Sequence, residues 1–263
     1  MKTISPTALN NFQLQTLLQT AIAPRPIALA STVDKDGNGN LSPFSFFNMF
    51  SSNPPIVIFS PARRVRDNTT KHTLENVLAV SEVVIGIVNY NIVQQISLSS
   101  TEYGKEVNEF IKSGLTMKDA ELVKPKLIEE CPVNLECKVL EVKPLGTEGG
   151  AGNLVICEVI KIHIREEYLN EEGNLDQKKL DLVARLGGNW YSRNNENNMF
   201  EVPKPLATKG IGFENLTEEI KMSKIFTGND LGMLANAEDL PEGNFISDEK
   251  IHREAQQLLE LHH

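Results

Sequence analysis

Two long runs in the middle of the chain, "VNLECKVLEVKPL" (133–145) and "NLVICEVIKIHIR" (153–165), are separated only by the glycine-rich remainder of "TEGGAGN" (147–153). Apolar and polar residues alternate on both sides of this flexible segment, which predicts two long antiparallel strands joined by a hairpin. In the first run the apolar residues fall at 133, 135, 137 and 139, then shift to 140 and 142. Such a slip is expected of a β-bulge or of a strand passing between environments. In the second run Leu154, Ile156, Ile160, Ile162 and Ile164 share one face, and Lys161, His163 and Arg165 the other, with His163 expected to be exposed. Glu158 interrupts the apolar face, so it is either a paired buried carboxylate or the mark of a bulge.

Shorter strands surround this pair. "PIALASTV", the phenylalanine-rich "SPFSFFNMFSS" (42–52), "IVIFS" (56–60) and "EVVIGIV" (82–88) all read as strands, punctuated by "DKDGNGN" and "NPP". Helical spacing occurs at 7–20, at "HTLENVLAV", around "NIVQQISL" and "KEVNEFIKSG", and in a final stripe of Ile251, Ala255, Leu258 and Leu259 with Ser247 as its N-cap. There is no βαβ alternation. The expected fold is mainly β, a barrel with peripheral helices. Composition shifts after Leu186, so residues 196–263 are expected to form a C-terminal extension that wraps the β domain (1–195) or a partner subunit.

The formal net charge of −9 argues against nucleic acid as the main partner, because phosphate backbones need basic surface. The strongest apolar run, Val83 to Val88, is far too short to span a bilayer, and the first residues lack the apolar core of a secretory signal. Cys131, Cys137 and Cys157 are odd in number and form no CxxC, so neither a disulfide framework nor a zinc site is expected, and no metal at all. A cytoplasmic location is the expectation.

Against this acidic background "SPARRVRDNTTKHTLENV" (60–77) gathers Arg63, Arg64, Arg66, Lys71 and His72 within ten residues, interleaved with Asn68, Thr69, Thr70 and Thr73. It follows a strand and ends at a helix start. Cationic side chains, hydroxyls and free backbone N–H groups together make a phosphate cradle; the alternative is a solvated loop with a threonine N-cap. One strand earlier, four of the eleven phenylalanines fall within seven positions, 44 to 50. In a regular strand Phe44, Phe46 and Asn48 point one way and Ser45, Phe47 and Met49 the other. The row is either barrel core or one wall of a site for a flat heteroaromatic ring, with Phe50 the residue expected to be plain core. No nucleophile with its base, no GxSxG, GxGxxG or Walker motif is present.

The order "PRPIALASTVDKDGNGNLSPFSFFNMFSSNPPIVIFSP", "KHTLENV", "VNLECKVLEV", "GNLVICEVIKIHI" and "ARLGGNWY" resembles the flavin reductase-like, FMN-binding split-barrel family of flavoredoxin type, from about residue 20 to 195. The resemblance implies a six-stranded Greek-key split barrel, FMN bound without a covalent link, and a homodimer with the flavin near the subunit interface. It places Ser45, Phe46, Phe47 and Asn48 along the flavin, and Ser60, Arg66, Asn68, Thr69, Lys71, His72 and Thr73 about its phosphate. Many members carry Lys-Asp-Thr where this chain has Lys71, His72 and Thr73, and Arg185 falls in the family's closing block. The implied chemistry is reduction of the flavin by NAD(P)H and passage of electrons to a small-molecule or protein acceptor, with no catalytic side chain required. A flavoprotein that stores, delivers or senses FMN, and a barrel that binds no flavin, are the competing expectations.

Overall fold

A computed structural model describes residues 1–205 and 209–239. The chain forms two compact units, Met1–Met199 and Phe200–His263. The expected final helix at 247–259 lies outside the described residues.

In chain order the first unit contains α1 (Asn11–Ala21), β1 (Ala28–Val33), β2 (Gly39–Phe44), β3 (Phe47–Ser52), β4 (Pro55–Phe59), α2 (His72–Ala79) and β5 (Glu82–Ile87). There follow α3 (Val93–Leu98), α4 (Glu109–Ser113), the two-residue strands β6 (Met117–Lys118) and β7 (Leu127–Ile128), and the long pair β8 (Val133–Pro144) and β9 (Asn153–Ile164). It closes with α5 (Gln177–Leu180), β10 (Leu182–Arg185) and β11 (Tyr191–Asn194). The second unit carries α6 (Glu218–Lys221) and α7 (Gly228–Ala235), the latter opened by a Thr227–Asp230 capping box.

The main sheet has seven strands in the order β2-β1-β5-β8-β9-β4-β3, and every pairing is antiparallel. Its two edge strands, β2 and β3, are consecutive in the chain and separated only by Ser45 and Phe46. Residues 42–52, expected as one strand, therefore bend at that corner and serve both edges of a sheet that curls on itself. The Phe46 carbonyl accepts from the Ser60 N–H at 2.9 Å, which pins the corner to the end of β4. The corner also breaks the expected alternation: Phe44 and Phe47 both turn into the same core, and Phe44 packs on Phe59 with ring centroids 5.3 Å apart. Phe50, expected to be core, is 63% exposed, because it is the extra residue of a bulge between Met49 and Ser51.

Two cores flank β1. Ala28 and Ala30 face the inside of the curled sheet with Phe59, Ile85, Val155 and Cys157, covered by Leu74 and Val77 of α2. Leu29 faces the other way, with Leu41, Val84, Ile96, Phe110 and Ile128. With both faces covered, all six residues of β1 are buried, Ser31 and Thr32 included, and β5 reads as a nearly continuous apolar run.

The long pair has bulges at Leu140 and Ile160, the first where the sequence changes phase. In β9 the inward face is the opposite of the one expected, on both sides of the second bulge. Asn153, Val155 and Cys157 are buried, whereas Ile160, Ile162 and Ile164 are exposed. Glu158 is only half-buried and is paired in register with Lys138 and Ile56, so it is neither a buried paired acid nor the bulged residue. His163, expected exposed, pairs at 2.6 Å with Glu136, a fully buried carboxylate. Glu136 also accepts the backbone N–H groups of Glu121, Leu122 and Val123 at 2.9, 2.6 and 3.1 Å, and so straps that segment to the sheet.

All three cysteines are free and buried, and burial pushes the Cys157 thiol up to about 12. Among the described residues no helix is long and apolar enough to cross a membrane, and no cluster of metal-ligating side chains occurs.

Candidate functional site

The basic segment leaves β4 at Ser60 and folds into a tight loop that uses much of its own hydrogen-bonding capacity. The Arg63 guanidinium donates to the Asn68 side chain and backbone carbonyl, both at 2.6 Å. Asn68 adopts a positive φ of 58°, and its amide donates to the Thr147 carbonyl at 3.0 Å. Asp67 accepts the Thr69 hydroxyl and N–H at 2.6 and 3.1 Å, and these two bonds with neighbouring Arg66 bring its carboxyl down to about 2. Arg64 donates from one nitrogen to the Thr69 hydroxyl at 3.0 Å and the Thr70 carbonyl.

The hairpin tip between β8 and β9 buttresses this loop. Arg63 and the tip exchange backbone bonds, Arg63 N–H to Ala151 at 2.8 Å and Gly150 N–H to Arg63 at 2.9 Å. A Cβ at Gly149 would stand 3.0 Å from the Arg64 carbonyl oxygen and 3.1 Å from the Val65 Cα, so glycine permits the close backbone approach.

Two adjoining cavities result. The larger, about 720 Å³, lies between α1, the corner, the basic loop and the hairpin tip, with Leu14, Leu18, Ile22, Phe46 and Val65 in its wall. Arg25 lines it too, and the Arg25 Nε is a buried donor without a partner. Burial first, and the neighbouring Arg185 second, lower the pKa of Arg25. The smaller cavity, about 320 Å³, shares Gln15, Gln19, Phe46, Ala62 and Val65 with the first and adds Ser45, Ser60, Arg63, Arg64, Arg66 and Lys71. Among the described residues the Lys71 ammonium has no hydrogen-bond partner; it lies 5.2 Å from the Phe44 ring centroid. Burial, then Arg64, lower its pKa. A largely apolar chamber adjoining an under-neutralised basic corner suits a ligand with an aromatic ring system at one end and a phosphate at the other.

Ser45, Phe46, Ser60, Arg66 and Lys71 thus meet at one cavity. The other residues singled out in the sequence are placed differently. Phe47 turns into the core, and Asn48 is exposed with its side-chain oxygen accepting its neighbour Met49's N–H at 2.8 Å. Asn68 and Thr69 hold the loop together. His72 and Thr73 line a small recess of about 30 Å³ at the start of α2, where the Thr73 hydroxyl is buried and donates to Asn40 at 2.8 Å. Asn40 in turn donates to the buried Glu109 carboxylate at 2.9 Å. Arg185 lines a separate cavity of about 370 Å³, stacked on Tyr191 at 4.6 Å, while its backbone pairs with Arg25. Gln15, Gln19, Arg25, Glu102 and the hairpin tip were not singled out. Their common signal is tertiary proximity to the basic loop, which sequence spacing does not carry.

The antiparallel curled sheet thus carries this paired chamber at one corner. Residues 20–181 match the model of the flavin reductase like domain, and the chain belongs to that family. An uncharacterized protein of Aquifex aeolicus is 35% identical over 178 residues, covering 68% of this chain and 88% of that protein. Nitrilotriacetate monooxygenase component B from Bacillus cereus has a similar structure, with a TM-score of 0.71 and 28% identity, over 77% of this chain and 98% of that one. Flavoredoxin of Desulfovibrio vulgaris shares the fold at a TM-score of 0.58 and 21% identity, over 70% of this chain and 92% of that one.

Proposed function

We propose that the protein is an FMN-dependent oxidoreductase that takes electrons from NAD(P)H and passes them to a small-molecule or protein acceptor. The observation that carries this reading is the junction of the two cavities, apolar at one end and basic at the other, through shared walls at Phe46, Ala62 and Val65. Leu14, Leu18, Ile22 and Phe46 would exclude water from the ring system of FMN, and the unpartnered Arg25 Nε offers it a buried donor. Arg64, Arg66 and Lys71 would neutralise its phosphate. When bound, the flavin supplies the hydride and electron chemistry, and the protein's share is to bind, orient and shield it.

The sheet is read as a six-stranded split barrel of Greek-key type in which β2 and β3 are one strand bent at the corner. We also propose a homodimer, a reading supported by α1, which buries no residue and leaves Phe12, Leu17 and Leu18 exposed beside the larger cavity, with Ile22 just after it. The free cysteines suit a reducing compartment such as the cytoplasm.

Titration of the purified protein with FMN and riboflavin, followed by anaerobic addition of NADH or NADPH, tests the reading. FMN should bind at least about tenfold tighter than riboflavin, as expected for charge-assisted phosphate contacts, and one nicotinamide should bleach it. No flavin uptake would overturn the proposal. Uptake without bleaching by either nicotinamide would make the protein an FMN carrier or sensor instead.

A further inference from the structure

The basic corner already holds an anion of its own. Glu102, in the turn after α3, gives one carboxylate oxygen to the Arg64 Nε and the other to an Arg66 terminal nitrogen, each at 3.1 Å. A carboxylate bridging two guanidinium groups through separate oxygens makes the contacts that two oxygens of a phosphate would make. Glu102, Arg64 and Lys71 line both the 320 Å³ cavity and the recess at the start of α2, so the Glu102 side chain stands between them.

Two features separate an occupant from a scaffold. Arg64 does not depend on Glu102 for its position, because Thr69 and Thr70 hold its other end. The turn carrying Glu102 is in turn moored lightly. Its backbone bonds are local, Ser100 to Ser97, Thr101 to Leu98, Tyr103 to Thr101 and Val107 to Gly104. The neighbouring acid Asp67 is locked by Thr69, which leaves Glu102 as the carboxylate free to move. Both of its ion pairs are partly solvated, with Glu102 48% exposed, and such pairs are weak enough to exchange.

We infer that Glu102 is an internal surrogate for the ligand's phosphate, occupying the Arg64–Arg66 site until a phosphate monoester displaces it. It therefore sets the affinity for phosphorylated ligands below what the arginines alone would give. The inference rests on the FMN reading of the site, and it is tested by titrating wild type and Glu102→Gln with FMN, riboflavin and inorganic phosphate, with thermal melts to verify folding. Glu102→Gln should bind FMN and inorganic phosphate about fivefold tighter than wild type, the scale of a weak exposed ion pair, with riboflavin affinity unchanged. Equal or weaker FMN and phosphate binding in the variant would overturn the inference and leave the flavin reading standing. So would a gain shared equally by riboflavin. If neither protein takes up a flavin while the variant gains phosphate, the surrogate role holds and the flavin reading falls.

Discussion

Lys71 and Asn68 lie three residues apart in one basic loop, and their chemistry diverges because of what each is already bonded to. Asn68 spends its side chain on Arg63 and Thr147, whereas Lys71 has an ammonium group turned to the cavity without an acceptor among the described residues. Lys71→Ala should weaken FMN binding by about 1.5–3 kcal/mol, the scale of a hydrogen bond to a charged group, and leave riboflavin binding unmoved in the same titration. Arg66→Ala should cost less, since its side chain is 74% exposed. Residue type made the basic cradle legible in the sequence. Which donors remain unspent depends on partners that are distant in the chain, such as Thr147 for Asn68 and Asn40 for Thr73. The same limit hid Glu136. Burial pushes its carboxyl up, but the Glu121 N–H, His163 and the Leu122 N–H together bring it below the ordinary carboxylate value. A folded-state pKa below the unfolded one adds stability at pH values above the unfolded value of about 4.3, and that contribution is lost as pH falls from there through the folded value. Glu136→Ala should cost about 3 kcal/mol or more in chemical denaturation, because three backbone donors lose their acceptor. The gap in melting temperature between wild type and Glu136→Gln should narrow as pH is lowered below 4.

At the scale of elements, periodicity located the strands and short helices well because alternation survives in sequence wherever a strand has two distinct faces. It failed at the corner and at the bulges, where one added or turned residue inverts every face that follows. Phe47 and Phe50 were each assigned to the wrong side for that reason, whereas in β9 the isoleucines at 160 and 162 lie on the exposed face and His163 on the inner one, along a strand whose inward face is the same before and after its bulge. The glycine-rich hairpin tip was recognisable as a turn, but its role as a buttress needs the opposing loop. Gly149→Ala should push against the Arg64 and Val65 backbone, costing about 1 kcal/mol or more of stability and lowering FMN affinity. Gly173→Ala, in a turn with open space and a positive φ, should cost stability without altering FMN affinity. Helix α1 was legible as amphipathic, and its capping box at Asn10 and Gln13 fixes where it starts. The proposed homodimer rests on its apolar side, which buries no residue. Phe12→Glu, at a side chain 73% exposed, should convert a dimer to a monomer in light scattering.

For the molecule as a whole, both cores belong to the first unit, and their buried residues all lie before Met199. Residues 1–199 expressed alone should fold cooperatively and retain FMN binding within about threefold, the size of a change that moves no phosphate contact. Loss of cooperative unfolding in that fragment, followed by circular dichroism, would show that the second unit is needed to complete the first. Composition changes after Leu186, whereas the two units divide after Met199, a boundary that depends on contacts. The bulge at Phe50 has a consequence for how the molecule keeps its own company. Strand β3 is an outer edge of the sheet, with Met49 and Phe50 both exposed, and a straight apolar edge of this kind is a template on which other chains can add strands. The inserted residue interrupts the ladder at that point, so an incoming strand cannot keep register along the edge. An irregularity that obscured the pattern in the sequence thereby protects the folded protein against sticking to its neighbours in a crowded solution.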